Sequence, residues 1–350
     1  MIEPIKIVFL LDDDSIHNGG ARPLINWARI LPSSILMTFQ KKGRLEMSNS
    51  VSVNNIVKAA MAAKDYSYIV VSDNNLKNGI KLSRRTGAKL LVYCQVPFGL
   101  HALGVISGGE GKLTWLIYFV IKLIPFRIFV SQYVKRLKKA NLIMANSLNM
   151  NILLNFVYGI PDSEIVYPPL EDSKFVPIPE MKKDSILVFV GRSSDLNEYK
   201  AFEIIEEISK SYGTDVLIFG SATVPESIYK GYTGFKVHKN ISDEELVRLY
   251  NRSFVTVCIQ KQEYFGYVPL ESILCGTPSI TLYRHDASNV DEYLRKYLVY
   301  ADLQNLKSEM LKIMDPHVKN SLSLERRNIV SRFASGVSSN KLLKLMKEIE

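Results

Sequence analysis

The chain is 350 residues long, with 47% apolar and 23% charged residues: length enough for about two domains with full cores, and a composition that excludes a disordered chain. Lys and Arg (44) outnumber Asp and Glu (35), and the resulting net charge of +9 points to a partner that carries phosphates. Cys94, Cys258 and Cys275 are too scattered for a disulfide framework or a zinc site, which implies a reducing compartment.

In chain order, Lys6 to Leu11 is an apolar run closed by Asp12-Asp13-Asp14, with Glu3 where a signal peptide needs positive charge. It reads as a first strand. His17-Asn18-Gly19-Gly20 then precedes a helical stretch, Leu24 to Ile30, so backbone can approach a ligand where no Cβ intrudes. Ser34 to Phe39, Tyr68 to Ser72, Lys89 to Gln95 and Leu142 to Asn146 are further strands, separated by stretches long enough for crossover helices. Between the last two, Leu113 to Val130 is apolar over eighteen residues but contains Lys122, Pro125 and Arg127. At roughly 27 Å it barely spans a bilayer, so an interfacial segment with a basic flank (Lys135, Arg136, Lys138, Lys139) or a buried helix pair fits better.

Pro168, Pro169, Pro177 and Pro179 interrupt helix and strand alike and mark a linker. A second series of strands follows: Ser185 to Val190, Asp215 to Phe219, Phe235 to His238, Phe254 to Ile259 and Ser279 to Leu282, with helices over Lys200 to Tyr212 and Asp243 to Arg252. Two Rossmann-like halves are the economical reading, with Ser321 to Glu350 a helical tail interrupted at Ala334-Ser335-Gly336. In the second half, Gly191-Arg192 follows one strand and Lys200 opens the next helix, a pair of cations suited to a diphosphate. Glu263, Phe265, Gly266, Tyr267 and Glu271 bridge another strand and a helix with Pro269 in its first turn. The N–H groups near Phe265 to Val268 suit a phosphate, and the two carboxylates, eight residues apart, suit hydroxyls on either side of it.

These pieces resemble, in their order, the retaining nucleotide-sugar glycosyltransferases of family 4, and are similar to the lipid-linked-oligosaccharide mannosyltransferases. Glu263 to Glu271 with the Gly276-Thr277-Pro278 exit is similar to the E-x7-E signature, and Gly191-Arg192 with Lys200 to the G-R…K-G element, Ala201 standing where the family has glycine. Asn146-Ser147, Val166-Tyr167-Pro168-Pro169 and Val237 through Ile241 to Leu246 match its N-S, V-Y-P-P and V-S-D-E-E-L segments. Cys94-Gln95-Val96-Pro97 looks like its C-H-F-P stretch with glutamine in place of histidine, and His101 lies six residues on.

The resemblance implies an α/β GT-B fold, two Rossmann-like domains facing a cleft: residues 1–170 for the acceptor, 180–329 for the nucleotide sugar, and 330–350 packing back on the first. It implies metal-independent, retaining transfer of a hexose from GDP-mannose or UDP-glucose, without a cofactor, to a glycan or polyprenyl-linked acceptor. Arg192 and Lys200 would hold the departing diphosphate, Glu263 the donor sugar and Glu271 the ribose. Gly19, Gly20, Gly191, Ile241, Phe265, Gly266 and Tyr267 would line the donor, and His17, Gln95 and His101 the acceptor side. The expected location is the cytoplasm, with an anionic membrane surface as a further partner. No nucleic-acid-binding module is present in the sequence. Gln95 and Ala201 motivate a second reading, a glycosyltransferase-like binding or accessory subunit without turnover.

Overall fold

A computed structural model describes residues 5–13, 20–40, 47–95, 126–190, 200–220, 229, 231–232, 234–239, 241–259, 265–282, 298–314 and 322–350. The chain forms two compact units, Met1–Pro169 with Ser335–Glu350, and Leu170–Ala334.

The first unit is built on a seven-stranded sheet: β1 (Ile7–Asp13), β2 (Ser34–Gln40), β3 (Ser50–Ser52), β4 (Tyr68–Ser72), β5 (Lys89–Cys94), β6 (Leu142–Ala145) and β7 (Glu164–Ile165). All neighbours pair in parallel, in the order β3-β2-β1-β4-β5-β6-β7. Strands such as YIVVS and LLVYC are buried throughout and almost wholly apolar because helices cover both faces. On one face Val8, Leu10, Ile69, Val71, Leu90 and Val92 meet α2 (Ile56–Ala62), α3 (Leu76–Thr86), α4 (Phe126–Leu137) and α5 (Leu148–Ile152). On the other, Ile7, Phe9, Val70 and Leu91 meet α1 (Arg22–Ile30) and the last helix of the chain, α11 (Ser335–Glu348). The alternation along each strand sorts these two cores.

Hydrogen bonds and an ion pair fasten the C-terminal helix. The Trp27 indole N–H donates to Ser338 Oγ at 3.0 Å, Tyr68 Oη donates to the Met346 carbonyl at 2.9 Å, and Lys341 pairs with Glu164 at 3.1 Å. Trp27 also stacks near Phe9 and meets Tyr93 edge-on, so the fastening ends in the centre of this core.

The second unit repeats the design with six parallel strands: β8 (Ser185–Val190), β9 (Asp215–Gly220), β10 (Phe235–Val237), β11 (Ser253–Cys258), β12 (Ser279–Thr281) and β13 (Leu298–Tyr300), in the order β10-β9-β8-β11-β12-β13. α6 (Lys200–Tyr212) and α9 (Leu306–Ile313) pack on the face carrying Ile186, Val188, Val216 and Val257. α7 (Asp243–Arg252), α8 (Tyr267–Leu274) and α10 (Leu322–Phe333) complete the unit. Ser242 caps α7, its hydroxyl accepting from the Glu245 N–H at 3.1 Å, and acids fill the first turn as the helix dipole favours. Both sheets have the doubly wound order in which the strand sequence reverses at one point: between β1 and β4 in the first unit, between β8 and β11 in the second. Among the described residues no helix is long and apolar enough to cross a membrane. Of the apolar run at 113–130, only the first turn of α4 lies in the described part.

Candidate active site

In open parallel sheets, ligands sit beyond the carboxyl ends of the strands where the order reverses. In the second unit that edge is formed by the ends of β8 and β11. Lys200, exposed, is the first residue of the helix after β8; Phe265 and Gly266 lead from β11 into α8. Gly266 has φ +87°, the left-handed region that glycine enters without strain, and this turn opens α8. Gly220, at the end of β9, has φ +127°, and a Cβ there would collide with the Val190 carbonyl at the end of β8. The edge is thus closely packed where β8 and β9 finish.

Glu271 lies on the second turn of α8 and is 1% exposed. Its Oε2 accepts a hydrogen bond from Tyr250 Oη at 3.1 Å. Burial, with the Glu271 carboxylate beside it, pushes the Tyr250 phenol well above its ordinary range and keeps it a donor. Phe265 is buried against Tyr267 and Phe333, with ring centroids at 5.1 and 5.6 Å, so its side chain is committed to packing. Helix α8 ends at Gly276, φ +79°, where the Thr277 N–H returns to the Ser272 carbonyl. Thr277 Oγ1 then donates to the Tyr250 carbonyl at 2.6 Å, tying the Gly-Thr-Pro exit to the helix that carries Tyr250. Ile241, half-buried, precedes the Ser242 cap beyond β10. Ala201 is fully buried in the α6 core, which accounts for a methyl where the family resemblance expects glycine. Gly191, Arg192 and Glu263 lie outside the described residues, as do His17, Gly19 and His101.

In the first unit the corresponding point carries a polar cluster. Gln95, at the end of β5, donates from Nε2 to the Gly20 carbonyl at 2.7 Å, and its own carbonyl accepts from Asn146 at 3.2 Å. The glutamine therefore holds Gly20 in place. Asp73, just past β4, accepts from the Tyr133 hydroxyl at 3.4 Å and from the Gln95 and Asn74 N–H groups. Burial outweighs these bonds and pushes its carboxyl up to about 7, so it can take or give a proton near neutrality. Asn75 bridges to Asp12, accepting from its N–H at 2.6 Å and donating to its carboxylate. Asp73 and Tyr133 were not singled out by sequence, and Leu249-Tyr250 reads only as the end of the segment similar to V-S-D-E-E-L, without a role at the site. The available signal for Asp73 was an acid directly after an apolar strand; the two tyrosines sit on apolar helix faces, where a core role is the ordinary reading.

No protein-family profile matches the chain. It is 27% identical over 158 residues to a Burkholderia thailandensis protein assigned as a transglycosylase, covering 41% of each. It is 32% identical over 106 residues to a protein of Sulfolobus islandicus filamentous virus assigned as glycosyltransferase 41, covering 30% of this chain and 29% of that one. The matches thus span well under half the length of these relatives. Among solved structures, Anabaena HepE in complex with UDP and glucose superposes with a TM-score of 0.72 at 14% identity, covering 98% of this chain and 99% of that one. Two doubly wound parallel sheets in tandem, superposing on that structure over nearly the whole length, are the GT-B fold.

Proposed function

We propose that this chain is a glycosyltransferase that moves a hexose, with retention of anomeric configuration, from a nucleoside diphosphate sugar to a glycan or polyprenyl-linked acceptor. The observation that carries the reading is Lys200. A cation on the first residue of a helix is opposed by the helix dipole, and a bound anion reverses that sign by engaging both the ammonium and the N-terminal N–H groups. The UDP and glucose of HepE and the assignments of the two sequence relatives support the donor class. UDP-glucose is the first donor to try and GDP-mannose, favoured by the family resemblance, the second.

In this reading Lys200 and Arg192 take up the charge that the diphosphate gains as the glycosidic bond breaks. Glu263 orients the sugar, Glu271 accepts from the ribose hydroxyls while Tyr250 fixes its other side, and the Gly266 turn leaves room for the donor beside Ile241 and Tyr267. Gln95 holds Gly20 through its carbonyl, and Gly19 and Gly20 line the donor.

Nucleotide release from UDP-glucose and GDP-mannose by the purified chain, with the product anomer read by NMR, tests the proposal. Release from one donor is expected, reduced about 100-fold or more in Lys200→Ala. Nucleotide binding without release from any sugar nucleotide would favour the second reading, a binding or accessory subunit.

A further inference from the structure

Helices α2, α3, α4 and α5 form one layer over a single face of the first sheet, and none of them contains an aspartate or glutamate. The layer is strongly cationic. α3 carries Lys77, Lys81, Arg84 and Arg85, all exposed. α4 ends in Lys135 and Arg136 and runs on into exposed Lys138 and Lys139. Among the described residues none of these cations makes an ion pair, whereas Lys341 and Lys344 on the opposite layer pair with Glu164 and Glu348.

Offsetting helix dipoles does not explain the pattern. Cations do fall in the last turns of α3 and α4, but the matching acids are missing from the first turns of α2, α3 and α4, while α7 opens with Asp243, Glu244 and Glu245. Exposed apolar side chains stand in the same layer. Met61 on α2 is 69% exposed, and Phe156, in the turn that continues α5, is 84% exposed. That turn is joined to α4 by Tyr158 packing edge-on against Tyr133 at 5.8 Å.

We infer that the outer surface of this four-helix layer docks on an anionic lipid surface, its cations at the phosphate level and Phe156 and Met61 below it. Charge complementarity names the sign of the partner, and the apolar side chains select lipid over nucleic acid, which gains nothing from an exposed methionine. The inference deepens the reading of a polyprenyl-linked acceptor and gives the membrane contact its residues.

The test is sedimentation of the full chain with vesicles of phosphatidylcholine alone and with about a third phosphatidylglycerol, at low and physiological salt. Binding is expected only with phosphatidylglycerol. Each basic residue near the surface is worth about fivefold, so combined Lys81→Gln, Arg84→Gln, Arg85→Gln and Lys135→Gln should weaken binding by more than about 100-fold. Lys344→Gln with Lys347→Gln should not. In Phe156→Trp, lipid should shift the added emission to the blue. Equal binding to both vesicle types, binding unchanged in the fourfold variant, or equal affinity for duplex DNA with no blue shift would each overturn the inference. Nucleotide-induced thermal stabilisation of the same samples keeps the two proposals apart: it reports the donor site alone, and its absence in the parent chain would count against the transferase reading while leaving the vesicle result to stand.

Discussion

Tyr250 and Asp73 are the residues at which small changes separate roles. Tyr250 sits entirely inside the second unit, and its hydroxyl is spent on Glu271 Oε2. Tyr250→Phe keeps the ring packing against Phe175 and Phe219 but releases the carboxylate. If Glu271 binds ribose, steady-state kinetics should show the donor KM rising about threefold to tenfold with kcat nearly unchanged, since the contact is made equally in ground and transition states. A merely structural hydroxyl would lower stability and leave KM alone. Asp73 offers a pH signature. Its native carboxyl titrates at about 7 against an ordinary value of 3.8, so between those values the native chain holds a proton that the unfolded chain has lost. The contribution of Asp73 to stability therefore falls as pH rises from about 4 to about 7 and is flat above. Asp73→Asn removes that slope. Urea unfolding at pH 4 and pH 8 should show the variant gaining roughly 2 kcal/mol on the parent between the two.

Among the elements, the C-terminal helix and the end of β9 bear most directly on the account. Leu342, Leu345 and Met346 are buried in the core around Trp27, so removing Ser335 to Glu350 exposes the floor of the first unit. At about 1.5–3 kcal/mol per buried side chain the loss exceeds about 4 kcal/mol. With Trp115→Phe in the background, Trp27 emission should move to the red and the unit should unfold at lower urea; unchanged emission would mean the helix is dispensable. Gly220→Ala places a methyl against the Val190 carbonyl at an unfavourable φ, and should cost about 2–4 kcal/mol of stability in the same assay. The sequence readily disclosed the central strands, because runs such as Ser185–Val190 and Tyr68–Ser72 are apolar at all but one terminal serine and bounded by turn residues. It did not disclose β3, β7 or β13. Those are edge strands two or three residues long, and Ser50–Ser52, wholly exposed, has no apolar signature at all.

At the scale of the whole molecule, the doubly wound pattern was legible because parallel sheets covered on both faces leave a repeated trace of apolar strand, turn and crossover helix. The site was legible only in part. Lys200, Gly266 and Glu271 stand at strand ends or helix starts, where local chemistry shows in the sequence. The Gln95–Gly20 bond and the Tyr250–Glu271 pair bring together residues 75 and 21 positions apart, and only the fold makes them neighbours. The charge of +9 reads as a single number in the composition, yet its most concentrated expression is one acid-free helical layer of the first unit. The central claim is that the carboxyl edge of the second sheet holds a nucleoside diphosphate between Lys200 and Glu271. Thermal unfolding with saturating UDP, GDP and ADP tests it most directly. A ligand at 100 times its Kd should stabilise the chain by about 2.7 kcal/mol, and the shift should vanish in Lys200→Ala and shrink in Glu271→Gln. No shift with any of the three nucleotides, or a shift that both variants retain in full, would contradict it.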